Sequence, residues 1–185
     1  MTLSERETFH YHIDSQNRII QVSPNWDAFA LANDAPEVCA HKILNRPLMD
    51  FLSGFETKHL YDIMLSKVRS TQNSLTVPFR CDAPALRRFM ELTMRPREGG
   101  GIEFQTVILR EDDRVPTILL DRASRRGGEP VSMCAWCKKV QVESEWLEVE
   151  DAVARLDLFQ GPVVPELTHG ICGSCRTQVE NEMAG

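Results

Sequence analysis

The sequence predicts an α+β fold in two units, and three observations carry that prediction. Apolar residues at a strand's period of two open the chain and return after a helix-period stretch, so the two patterns are segregated and not interleaved as in α/β proteins. Two Cys-x-x-Cys pairs, Cys134 with Cys137 and Cys172 with Cys175, bracket 34 residues near the C-terminus and mark off a smaller unit. With 185 residues, 42% of them hydrophobic, the chain has the length and the apolar content for one ordinary domain and a small one.

Phe9, Tyr11 and Ile13 alternate with His10, His12 and Asp14, the spacing of a half-buried strand. Asp14-Ser15-Gln16-Asn17 is turn chemistry, and residues 19–22 supply the returning strand of a hairpin. Ser23-Pro24 reads as an N-cap with proline at the first helical position, and the helix behind it places Trp26, Phe29 and Ala30 on one face. Leu48, Phe51, Leu52 and Phe55 predict a second short helical segment. Leu60, Ile63, Met64 and Val68 predict an amphipathic helix of about four turns. Three strands follow: Leu75, Val77, Phe79 and Cys81 alternate in the first, Met90, Leu92 and Met94 in the second, Ile102, Phe104, Thr106 and Ile108 in the third. Gly99-Gly100-Gly101 joins the last two. Pro78 predicts an edge position for its strand, because proline has no donor for a central ladder. Residues 115–126 read as a connecting helix, with Pro116 in the first turn and Ile118, Leu119, Arg122 and Ala123 at helical spacing.

This order of elements, over residues 1–111, resembles a PAS domain. The resemblance implies a five-stranded antiparallel sheet of spatial order 2-1-5-4-3, with helices on one face and a small cavity whose ligand is unknown. It also suggests roles for particular side chains. Met49, Met64, Met90 and Met94 are read either as an adaptable cavity lining or as ordinary core filling. His59 lies near the start of the longer helix, where haem-binding PAS proteins carry their iron-ligating histidine; it is read as a haem ligand or as a solvated histidine. His10 and His12, on one strand face, are read as a metal-chelating pair, as part of an interface, or as an exposed sheet face. The segment around Cys39 lacks the Gly-Arg-Asn-Cys-like motif of cysteinyl-flavin photochemistry, and Cys39 and Cys81 are assigned to packing.

Each Cys-x-x-Cys turn places two sulfurs on one side of a tight bend, and two such knuckles facing each other supply the four thiolates that structural zinc prefers. Reduced thiols, a disulfide, and a redox-active pair are the alternatives; the last expects a βαβ setting that nothing around Cys134 suggests. Residues 112–130 form the linker, and residues 131–185 resemble a zinc-ribbon-like tail found after PAS and related sensory domains in bacterial signalling proteins. The matching residues are Cys134-Ala-Trp-Cys137-Lys-Lys, Glu145-Trp-Leu-Glu148, an acidic helix over residues 150–159, and His169-Gly-Ile-Cys172-Gly-Ser-Cys175. Residues 160–165, an apolar and proline-bearing loop, depart from that pattern. Cys134, Cys137, Cys172 and Cys175 are the expected ligands of a structural zinc, since four thiolates leave no position for a substrate water. Such a small unit is marginal on burial alone and gains from metal binding coupled to folding. His169 is read as a hydrogen-bond donor to sulfur, a capping group, or a ligand replacing one cysteine. Trp136 and Trp146 are expected to cover the knuckles.

Charge narrows the function classes. Residues 1–111 carry 13 Lys+Arg against 14 Asp+Glu, residues 112–130 four of each, and residues 131–185 four against nine. An acidic cysteine unit is a poor phosphate-binding surface, which disfavours nucleic acid as a partner. The run from Glu143 to Asp151 reads as a solvated face. No apolar run approaches the roughly 20 residues of a membrane span, and the polar N-terminus lacks the apolar core of a signal peptide, so a cytoplasmic protein is expected. No P-loop and no Gly-x-Ser-x-Gly elbow is present, and no enzymatic activity is expected. The expectation is a non-enzymatic cytoplasmic signalling protein: a PAS sensory or protein-interaction domain coupled to a structural zinc module. It would act on another signalling protein or as a homodimer through the PAS domain, without a membrane. The alternatives are a redox or haem-based gas sensor and a zinc-dependent nucleic-acid-binding regulator.

Overall fold

The computed structural model describes residues 7–158 and 163–184. Strands β1 (Thr8–Ile13) and β2 (Ile19–Val22) form the opening hairpin. Its turn is set by Asp14, whose Oδ1 accepts the N–H groups of Gln16 (2.8 Å) and Arg18 (2.9 Å), while Asn17 takes the left-handed conformation that asparagine tolerates. Helices α1 (Trp26–Ala32), α2 (Ala40–Ile43) and α3 (Phe55–Thr71) follow, then strands β3 (Leu75–Arg80), β4 (Leu86–Pro96) and β5 (Ile102–Asp113). The five strands pair antiparallel in the order β2-β1-β5-β4-β3, which leaves Pro78 on an edge strand.

Local departures from the sequence reading have identifiable causes. Helix α1 starts at Trp26, and Ser23 does not cap it. The Ser23 hydroxyl accepts the His10 N–H (3.2 Å) and donates to Asn25 Oδ1 (2.7 Å), so it fastens the hairpin to the helix instead. On α3 the buried stripe is Thr57, Leu60, Met64, Leu65 and Val68; Ile63 falls on the outer flank and is exposed. The connecting helix expected over residues 115–126 does not form. Strand β5 runs on to Asp113, and residues 118–120 make a single 3-10 turn. Tertiary partners take the groups a helix would have paired: the Thr117 N–H donates to Pro84 O (3.0 Å), and Arg126 donates to the carbonyls of Leu119, Asp121 and Pro165.

The C-terminal module is a second, smaller sheet. Strands β6 (Val131–Cys134), β7 (Val140–Val142), β8 (Glu145–Leu147) and β9 (Leu167–Gly170) lie in the order β8-β7-β6-β9, with β6 and β9 parallel. Helix α4 (Val149–Arg155) is the expected acidic helix. Its anticipated end at residue 159, and residues 160–162 of the divergent loop, lie outside the described residues. Helix α5 (Gly173–Ala184) closes the chain.

Two cores result. The first gathers Ile13, Leu60, Met64, Met94 and Phe104 from the large sheet and its helices, and it continues into the module through Trp136, Ile171 and Val179. Burial of those three module side chains stabilises the junction by on the order of 5 kcal/mol. The second core lies inside the module, where Met133, Val140, Val149 and Val153 surround Leu119 of the preceding segment.

Candidate metal centre

Strand register places the cysteines. In the parallel pairing of β6 with β9, Cys134 stands opposite Gly170, so each strand ends at a knuckle and the two knuckles face each other. The first closes when the Cys134 N–H donates to Lys139 O (2.7 Å) and the Lys138 N–H to Cys134 O (3.0 Å), with Lys138 at φ 61°. The second straddles the start of α5, where the Arg176 N–H donates to Cys172 O (3.0 Å), and the free N–H groups of that helix end favour negative sulfur.

The sulfurs of Cys134, Cys137, Cys172 and Cys175 lie within 4.8 Å of one another, a group able to hold a metal ion. Cys137 Sγ and Cys172 Sγ are 3.7 Å apart, and the Cys172 N–H donates to Cys134 Sγ at 3.4 Å. Crowded thiols compete for negative charge. Hydrogen bonds from Cys137 and Cys175 hold the Cys134 thiol far below its ordinary pKa, whereas the bond to Cys134 pushes Cys137 up to about 12 and drives Cys175 upward as well. A bound dication removes the competition, because coordination deprotonates a thiol outright. The donor set therefore fits a metal.

His169 does not join the sulfur group. It lies on β9, where burial first and the Lys138 ammonium second lower its imidazole pKa, and it lines a cavity with Ala135, Trp136 and Lys138. Trp136 is turned away from the module's own core. It packs on Tyr61 of α3, ring centroids 5.9 Å apart, and Trp146 rests partly buried against the same first core.

The knuckles are also docked on the large sheet. The edge strand donates one backbone bond outward, from the Arg80 N–H to Trp136 O (2.7 Å). At the start of α3, Glu56 accepts the Ile171 N–H (3.2 Å) and pairs with Arg176 (3.2 Å). Gly54, at φ 85°, lies so close to β9 that a Cβ there would sit 2.3 Å from His169 O.

The acidic run is only in part the solvated face expected from the sequence. Glu148 and Glu150, at the start of α4, meet three arginines of the large sheet and its exit: Arg80 to Glu148 (2.7 Å), Arg87 to Glu150 (3.1 Å) and Arg114 to Glu150 (3.4 Å). Asp82, its side chain 1% exposed, sits between Arg80 and Arg114. Burial raises the Glu150 carboxyl, but a backbone hydrogen bond and the Arg87 and Arg114 charges outweigh it, and the net shift is downward. Sequence reasoning passed over Arg80, Asp82 and Arg114. The available signal was the charge imbalance of residues 131–185, which demanded a cationic counterpart somewhere.

A cavity of about 550 Å³ lies beneath the large sheet, walled by Phe9, Tyr11, Trp26 and Phe29, with Asn33, Arg88, Asp34, Asp82, Asp121 and Arg122 among its polar lining. Of the four methionines considered for a cavity lining, only Met90 borders it. Met64 and Met94 are fully buried core residues, and Met49 packs against that core. His59 is exposed on α3, stacked on Phe55 at 6.2 Å, does not border this cavity, and lines an open surface depression with Asp62, Ile63, Ser66 and Lys67. Cys39 is buried as packing, whereas Cys81 is half-buried and borders the large cavity. His10 and His12 are half-buried and not the exposed face expected from the sequence; His12, its side chain 13% exposed, lies beside Glu103 (3.3 Å). Among the described residues no helix is long and apolar enough to cross a membrane. Comparison with protein-family models gives no match, and comparison with curated proteins gives none either.

Proposed function

We propose that the chain is a non-enzymatic signalling protein in which a PAS-like sensory domain holds a small ligand under its sheet and a structural zinc module is docked on the sheet's edge strand. The observation that carries this reading is the pairing of the 550 Å³ aromatic-walled cavity with a closed four-cysteine cluster on one continuous core. The strand order β2-β1-β5-β4-β3 supports the PAS-like part. Four sulfurs close together, enough to fill a tetrahedral shell, support zinc in a structural and not a catalytic role. The cavity has the size and mixed lining of a small-molecule site, and a ligand acts there by its differential affinity for two states of the protein. The output is an interaction with another signalling protein or with a second copy of the chain.

Metal analysis and native mass spectrometry on protein purified without added metal test the proposal together. One zinc per chain, no visible absorbance band, and a small organic molecule lost in Phe29→Ala protein are expected. An iron-sulfur or Soret band, or four titratable thiols without metal, would replace this reading with a redox sensor.

A further inference from the structure

A second cavity, of about 270 Å³, lies at the junction of the two sheets and adjoins the one beneath the large sheet at Phe79 and Cys81. Its walls are apolar on one side, with Phe51, Leu52, Phe79 and Leu92, and it is bordered from the module by Trp136 and Lys138. Two of its lining residues carry buried polar atoms without a partner: Thr57 Oγ1 on α3, in a residue 5% exposed, and Trp136 Nε1 on the first knuckle, in a residue 4% exposed. An unpartnered buried donor costs about 1–3 kcal/mol; these two, contributed by opposite modules, are sealed from solvent, so an acceptor in the cavity reaches them only when the side chains around them shift.

Charge identifies the acceptor. No aspartate or glutamate lines the cavity, although the protein carries a net charge of -6, and its two cations are Arg80 and Lys138. Arg80 is committed to Asp82 and Glu148, whereas Lys138 gives one bond to Ala135 O (2.7 Å), and an ammonium has three protons to give. The volume equals that of about nine waters, enough for one ring and a carboxylate and below the usual drug-sized range.

We infer that this junction cavity binds a small carboxylate with an apolar body of benzoate size. Lining side chains shift to admit the carboxylate, which then accepts from Trp136 Nε1–H and the Thr57 hydroxyl, while Lys138 supplies the positive charge and the apolar body lies against Phe51 and Phe79. Because the donors come from both modules, the bound acid favours their docked arrangement. The inference does not depend on what occupies the larger cavity.

Titration calorimetry of the full chain with benzoate, phenylacetate and hexanoate, with zinc content verified in every variant, tests it. At least one acid binds saturably, its neutral amide binds at least about tenfold more weakly, and Thr57→Val and Trp136→Phe each weaken binding about tenfold or more, as loss of a hydrogen bond to a charged group requires. Asn33→Ala, which alters only the larger cavity, leaves binding unchanged. No saturable binding of any of the three acids, the result for a cavity that holds water only, overturns the inference. So does binding that Thr57→Val and Trp136→Phe leave unaltered.

Discussion

The two sheets solve the same burial problem with different means. The large one lays long strands, β4 of 11 residues and β5 of 12, against a 17-residue helix, and its fully buried side chains include Phe104, Met64 and Met94. The small one has strands of three or four residues, too short to enclose much apolar volume. It compensates in two ways: four cysteines gather at one point, and Trp136, Ile171 and Val179 are placed in its neighbour's core. A domain able to close its own core tolerates loss of its partner, whereas a module that borrows core and, as proposed, relies on a metal at its cysteines does not.

Experiments that remove one support at a time sharpen that contrast, and the largest effect belongs to the metal. Cys172→Ser leaves three sulfurs, and the chain loses its metal and the ordered module, because metal-binding free energy in such modules is folding free energy of about 10 kcal/mol or more. Metal content and far-UV circular dichroism read this directly, and a folded, metal-free module would break the contrast. Next comes Asp82→Ala. It leaves Arg80 (8% exposed) with Glu148 and Arg114 (6% exposed) with Glu150 as their remaining carboxylates, and the lost charge-assisted hydrogen bonds cost about 2–3 kcal/mol in urea denaturation. A loss below about 1 kcal/mol would mean that the junction is wetter than its geometry shows.

Gly54→Ala acts on docking and on the start of α3. The new Cβ meets His169 O, a clash relieved only if β9 moves away, and the left-handed backbone adds about 1–3 kcal/mol of strain that undocking does not remove. Faster cleavage by protease at the junction is expected, with metal retained. The smallest effect is a pH slope. Burial, then Lys138, lowers the His169 pKa, so the unfolded chain takes up a proton, starting below pH 6.5, that the folded chain refuses. Stability is therefore complete above pH 6.5 and declines from there toward the folded value. His169→Gln flattens this slope, and an unchanged slope would show that another group carries it.

The contrast also explains what the sequence made legible. Period-two alternation in residues 75–79, 90–94 and 102–108 reports burial on one face of a sheet, which is a local property, and those strands stand where they were expected. The cysteine spacing is local too. Docking is not. Nothing in Glu148 or Glu150 names Arg80 or Arg87, 63 or more residues away, so the run looked solvated. Residues 115–126 satisfied a helical pattern chiefly because Leu119 had to be buried in the module, while its neighbours Ile118 and Val115 are exposed. His169 could be placed next to the cysteines by motif, but its side of β9 depends on the pairing with β6.

The most direct test is amide hydrogen exchange with and without a metal chelator, followed peptide by peptide. Protection should fall over residues 131–142 and 167–184 and at the Arg80 N–H that reaches Trp136, while β1, β4 and β5 keep theirs. Unchanged protection across the module, or equal loss across the large sheet, would contradict a metal-organised module resting on an independently stable neighbour.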